Sequence, residues 1–125
     1  NLKNSKNFNS SSGTQLRDFL YVDDFVNLIK KIIQTKKIKS GIFNVGFGRA
    51  ISIKSVLQKI EKKIKFGKVK YGKIKMRKDE PKVLFPVTKK IKKYYNWYPK
   101  IKLDLGLKKT IKFYEKKISV SKYNS

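Results

Sequence analysis

Four stretches of the chain carry apolar residues at helical spacing, with shorter β-branched and aromatic runs between them. The first stripe is Phe25, Val26, Ile29, Ile32 and Ile33, preceded by Asp23 and Asp24, whose carboxylates suit a helix N-cap. A cleaner stripe, Ile53, Val56, Leu57, Ile60 and Ile64, follows Ser52 as its cap and closes before Gly67. Thr88 opens a short helix to Tyr95. Asn96 then stands where a left-handed residue would end it, and Pro99 bars continuation. Asp104 opens the last helix, whose stripe is Leu107, Ile111, Tyr114 and Ile118. Strands are expected over Arg17–Val22 and Ile42–Val45, and Val69–Met76 alternates enough to be extended in part. Asn1–Gly13 shows no period, only the isolated apolar residues Leu2 and Phe8, and reads as a mobile loop. Lys78–Pro86, with two prolines and two acids, reads as another loop. This order predicts a mixed α/β fold with parallel crossovers open to the early strands, a flexible polar segment over 1–14 and a tail over 119–125.

Composition removes whole classes of chemistry. The chain has no Cys and no His, which excludes disulfides, Cys/His zinc sites, a Ser-His-Asp triad and a histidine base. No metal site is expected. No apolar run approaches the ~18 residues of a membrane span, and the opening residues are polar, so the default compartment is the cytoplasm. The chain opens on Asn1, and its single methionine is Met76, which suggests the tail of something longer.

The net charge is +25, from 33 Lys and Arg against 8 Asp and Glu. Such a balance raises nucleic acid as a partner. Only Arg17, Arg49 and Arg77 are arginine, however, and the lysines are scattered over the chain. Lysines so distributed read as a solvated face with non-specific attraction for nucleic acid, because phosphate readers favour the planar arginine fork. A small Lys-rich nucleic-acid-binding protein remains the alternative, which salt-steep retention on nucleic acid would support.

Each candidate motif has a plain structural reading. Gly46-Phe47-Gly48 between a strand and a helix suggests a dinucleotide loop, but Ile51 replaces the third glycine and no acid follows at the ribose distance. Two glycines leaving a strand more simply make a tight turn. Tyr71 to Lys75 and Tyr98 to Lys102 both match Tyr-x-x-x-Lys. The first lies in an expected strand, where positions four apart are ~13 Å away, and the second contains Pro99. Neither is assigned catalysis. The cluster Tyr94, Tyr95, Trp97, Tyr98 is open to base stacking or to packing with polar tips at the rim. Arg17 beside Asp18, and Arg77 beside Asp79 and Glu80, suggest a bidentate grip on phosphate or carboxylate. A structural Arg–carboxylate pair is the other reading.

With those residues in view, Gln15-Leu-Arg-Asp-Phe-Leu-Tyr-Val-Asp-Asp24 resembles the segment that opens the C-terminal part of the extended short-chain dehydrogenase/reductases, the NAD-dependent nucleotide-sugar epimerases and dehydratases. Phe43–Gly48 with Ser52 resembles their strand-to-helix turn, and Met76–Glu80 their Arg-x-x-acid segment. Lys90–Thr110 resembles their Gly-Trp-x-Pro and following helix, with Asn96 in place of the usual Gly. The resemblance covers residues 15–117. It implies the C-terminal nucleotide-sugar-binding portion, an incomplete α/β domain over 15–118 with a few short strands, about four helices and the Rossmann core missing.

The same resemblance implies that Arg17 and Arg77 approach the diphosphate of a nucleoside-diphosphate sugar. Glu80 would receive ribose hydroxyls, Phe19 would line the nucleotide site, and Asp23 would be a structural cap. NAD or NADP would sit on an N-terminal Rossmann lobe that also carries the catalytic Tyr-x-x-x-Lys, so this chain alone would bind no cofactor and be inactive. That lobe is an expected partner, a homodimer of the intact enzyme is possible, and the apolar faces of the first two helices would stand uncovered without it.

Overall fold

The computed structural model describes residues 7–64 and 67–123, the last six of these by backbone alone. Leu2 and the side chain of Ile118 lie outside the described residues. In chain order the elements are β1 (Phe8–Asn9), β2 (Leu16–Arg17), α1 (Val22–Ile33), β3 (Ile51–Ser52), α2 (Ile53–Lys63), β4 (Val69–Lys70), β5 (Val83–Leu84), α3 (Lys89–Tyr95) and α4 (Leu103–Tyr123). Two small sheets form. β1 pairs parallel with β4, Phe8 opposite Val69. β2 lies between β3 and β5, antiparallel to the first and parallel to the second, with Arg17 opposite both Ile51 and Leu84.

Several expectations need correction. The strand expected over Arg17–Val22 is a ladder of two residues, because the chain turns into α1 at Val22. Tyr21, not an aspartate, is the N-cap residue of that helix, and it makes no side-chain cap bond. Ile42–Val45 pairs with no described strand. The parallel pairs are therefore β1–β4 and β2–β5, not a crossover between the first two expected strands. Two stretches read as loops each contain a strand, Phe8–Asn9 and Val83–Leu84. α4 continues to Tyr123, into the expected tail.

The helix ends follow their sequence signals more closely. Ser52 accepts a hydrogen bond from the Ser55 N–H at 3.1 Å and caps α2. Asn96 adopts φ 46°, ψ 45° and ends α3, a left-handed conformation that asparagine tolerates better than most residues. Thr88 occupies the α3 N-cap without a side-chain cap bond.

The core is Leu28, Ile91, Tyr95 and Trp97, with Leu20, Ile32, Phe43 and Val45 packed against it. Phe43 meets the rings of Tyr94 and Tyr95 edge-on at 5.8 and 5.5 Å. Tyr95 and Trp97 thus take the packing reading, while Tyr94 and Tyr98 are exposed. Asp24 is also buried and accepts hydrogen bonds from the backbone N–H groups of Lys100 and Ile101 at 3.1 and 2.8 Å. That bond pair fixes the segment after Pro99 to α1, and so sets where α4 begins.

α1 turns its inner face inward through Leu28, Ile32 and Asp24 only. The stripe visible in sequence points outward: Phe25, Val26, Ile29 and Ile33 are all exposed, Ile33 by 72%. On α2, by contrast, Val56 is buried and Ile53, Leu57, Ile60 and Ile64 are half-buried. An uncovered apolar face is therefore found on the first helix and not on the second.

Candidate functional site

β2 is the centre of the candidate site because its neighbours on both sides are fixed by ladder bonds. Arg17 leaves this strand half-buried. Its Nη1 donates to the carbonyls of Leu16 (2.7 Å) and Pro81 (3.0 Å), and its Nη2 is paired with Glu80 Oε1. The Glu80 N–H donates to the carbonyl of Arg77 at 3.3 Å, closing a turn just before β5. Arg77 stands at the start of that turn, exposed and without an ion pair to any described residue. Arg17 and Glu80 thus meet beside the β2–β5 edge, and the backbone of Arg77 belongs to the same turn as Glu80. Arg17 is joined to Glu80 there, so the structural pair exists, across the fold and not with the adjacent Asp18.

Asp18 has another partner set. Its Oδ1 accepts from the Phe47 N–H at 2.8 Å, and its Oδ2 from the N–H groups of Gly48 (2.5 Å) and Arg49 (2.9 Å). Three consecutive amides of the strand-exit loop thereby close on the chain's own carboxylate. A carboxylate with several amide donors is well satisfied, so these three amides are taken up within the chain and are not free for a dinucleotide pyrophosphate. Gly46 and Gly48 serve packing: a Cβ on Gly46 would stand 2.3 Å from the Pro86 ring, and Gly48 has φ +82° with Thr88 Oγ1 only 3.0 Å from where a Cβ would be.

Phe19, the fourth expected residue, lines a cavity of about 330 Å³ with Phe47, Arg49, Ile51, Lys102 and Leu103, and Ile51 is the ladder partner of Arg17. Ser55, Lys59 and Asp104 complete the wall. Lys59 donates to both Asp104 oxygens at 3.0 and 2.9 Å, and this bond holds the Asp104 carboxyl below its ordinary range, with lesser help from the charges of Lys59 and Lys63. Arg49 was readable in the sequence by the criterion that selected Arg17 and Arg77, an arginine in a lysine-rich chain. Asp18 and Lys59 carry no such local mark, since their partners lie far away in sequence, and Lys102 is one lysine among many.

The Tyr-x-x-x-Lys matches form no Tyr–Lys pair. The Tyr71 hydroxyl donates to Glu61 at 3.0 Å, and burial, aided by that glutamate, raises its pKa above the ordinary phenol value. Tyr98 lies beneath Lys92, whose Nζ is 5.7 Å from the ring centre. No group of three or more metal-binding side chains occurs among the described residues, and no described helix is long and apolar enough to cross a membrane.

Two small sheets of short strands with four helices match the fold of nucleotide-sugar epimerases and dehydratases over part of their length. The family model for GDP-mannose 4,6 dehydratase matches residues 1–110, and the chain belongs to that family. A UDP-glucuronate 4-epimerase of Thermodesulfobacterium geofontis is 34% identical over 111 residues, 88% of this chain and 33% of that protein. Among solved structures, UDP-glucuronic acid 4-epimerase of Bacillus cereus, in complex with UDP-glucuronic acid and NAD, superposes with a TM-score of 0.67 at 28% identity, over 82% of this chain and 32% of the other. UDP-glucose 4-epimerase of Thermotoga maritima, with UDP-glucose, shares the fold at a TM-score of 0.78 and 23% identity, covering 94% of this chain and 37% of its own. The chain therefore spans about a third of the length of the relatives it matches.

Proposed function

We propose that this chain is the nucleotide-sugar-binding portion of an NAD-dependent epimerase or dehydratase, without activity by itself. Arg17, Arg77 and Glu80 hold the diphosphate and ribose of a nucleoside-diphosphate sugar, and Phe19 lies against the nucleotide. The observation that supports this reading is the Arg17–Glu80 pair beside β5, with Arg77 opening the turn that holds Glu80. Arg17 is held rigid by two carbonyls and Glu80, which fixes the plane of its guanidinium. Arg77 adds a charge that no described carboxylate neutralises. Glu80 engages Arg17 through Oε1, leaving Oε2 to accept a hydroxyl. Neutralising a diphosphate needs more positive charge than Arg17 retains, so Arg77 is the residue whose loss is felt most.

In this reading NAD or NADP and the proton-transferring residues belong to a Rossmann lobe, which is the chain's main partner and covers the outer face of α1. The intact enzyme is a possible homodimer. The test joins this chain to the cofactor lobe of the Thermodesulfobacterium geofontis relative and titrates UDP-glucuronic acid calorimetrically. Arg77→Ala is expected to weaken binding by about 1.5–3 kcal/mol, the range for a hydrogen bond to a charged group. Unchanged affinity would overturn the assignment of Arg77.

A further inference from the structure

Asp18 stands between Arg17, at the diphosphate end of the proposed site, and Phe19, at its nucleotide end. Its carboxylate reaches across to the loop that follows Ile42–Val45 and accepts the N–H groups of Phe47, Gly48 and Arg49. Among the described residues, no other hydrogen bond reaches an amide of residues 43–50. No described strand lies beside this stretch either. A loop without ladder bonds depends on its side-chain anchors and its packing to stay in one place. Packing adds to the same anchor: a Cβ on Gly46 would lie 3.1 Å from Asp18 Oδ1, so the loop closes on this carboxylate with the room that glycine leaves. The anchored residues then enter the cavity wall. Phe47 and Arg49 line it together with Phe19.

Building on the nucleotide-sugar reading, we infer that Asp18 is a positioning residue, which holds Phe47 and Arg49 in the wall beside Phe19 and so shapes the slot that receives the base. Three charge-assisted bonds to consecutive amides fix both the place and the twist of the loop, which a single bond would not. The grip on the diphosphate has other supports. Arg17 is held by the carbonyls of Leu16 and Pro81 and by Glu80, and Arg77 belongs to the turn before β5. Asp18 therefore governs affinity for the base and leaves the hold on the phosphates alone. A role in stability only would weaken both parts of the ligand alike.

The test compares uridine diphosphate with ribose 5-diphosphate, which lacks the base, in this chain joined to the cofactor lobe of the Thermodesulfobacterium geofontis relative. The parent should bind uridine diphosphate more tightly. Asp18→Asn turns an NH2 group toward the loop amides and should weaken uridine diphosphate by about fivefold or more, the scale of a base stacked on an aromatic ring. Ribose 5-diphosphate should change by less than about twofold, as for contacts left untouched. Phe47→Ala removes the positioned ring but keeps the loop bonds, and should cost the same preference for the base. Glu61→Gln is the control, because Glu61 also holds a backbone amide, that of Val69 at 2.7 Å, and lies outside the cavity lining. Both affinities should survive it. In the 125-residue chain, the amide NMR signals of Phe47, Gly48 and Arg49 should move together in Asp18→Asn and stay in place in Glu61→Gln. Equal changes in the two affinities with Asp18→Asn, full base preference in Phe47→Ala, or loop signals that do not move would overturn the positioning role and leave the nucleotide-sugar reading standing. Failure of the parent to bind either ligand would overturn that reading, and this role with it.

Discussion

Asp18 follows Arg17 in the chain, yet it closes on amides 29 to 31 residues further on. Asp24, placed by sequence at a helix cap, is instead buried and bonded to amides 76 and 77 residues away. Neither role was legible, because the chain marks which residues carry carboxylates and not which distant amides will reach them. Arg17 and Glu80 illustrate the reverse case: both were singled out locally, and the fold brings them together. Asp104 allows a direct check at this scale. Its carboxyl is held low chiefly by the Lys59 hydrogen bond, so the contribution of this pair to stability is present above the unfolded aspartate pKa and is lost as pH falls through the lowered folded value. A carbon NMR titration should show Asp104 titrating below the ordinary aspartate range, and moving up toward it in Lys59→Gln. The same midpoint in both proteins would remove Lys59 as the cause. Both groups are substantially exposed, so added salt should shrink the difference.

Among the elements, helices were more legible than strands. Ser52 with its stripe, and Asn96 with Pro99, contain their own start and stop signals within a few residues. Strands of two residues have no period to read, and their existence depends on partners elsewhere in the chain. Ile42–Val45 shows the limit most plainly. It alternates like a strand, and Phe43 and Val45 face the core while Ile42 is exposed by 88%, but no described strand lies beside it. α1 presents a similar inversion, with four of the five stripe residues on the outside and only Ile32 packed against the core. Two substitutions separate the faces. Leu28→Ala should destabilise the chain by roughly 2–5 kcal/mol in urea denaturation, since it empties a fully buried position. Ile29→Lys should fall within about 0.5 kcal/mol of the parent. A large loss at Ile29 would mean that the outer face is covered within the chain itself.

For the molecule as a whole, the lysine excess and the proposed nucleotide-sugar role point to different partners. The lysines remain spread over the surface, while the arginines sit at defined places: Arg17 on the central strand, Arg77 at the turn beside it, Arg49 on the cavity wall. Fold class and family were legible because four loose motifs fall in one order along the chain. The cavity that Phe19 lines was not, since its other walls come from residues about 30 and 80 positions further along the chain. The central claim is that residues of this chain, and not those of a cofactor lobe, grip the nucleotide sugar. It is tested most directly by calorimetric titration of UDP-glucuronic acid into the cofactor lobe of the Thermodesulfobacterium geofontis relative, with and without this chain attached. Saturable binding that requires the attached chain is expected. Equal affinity for the lobe alone would contradict it.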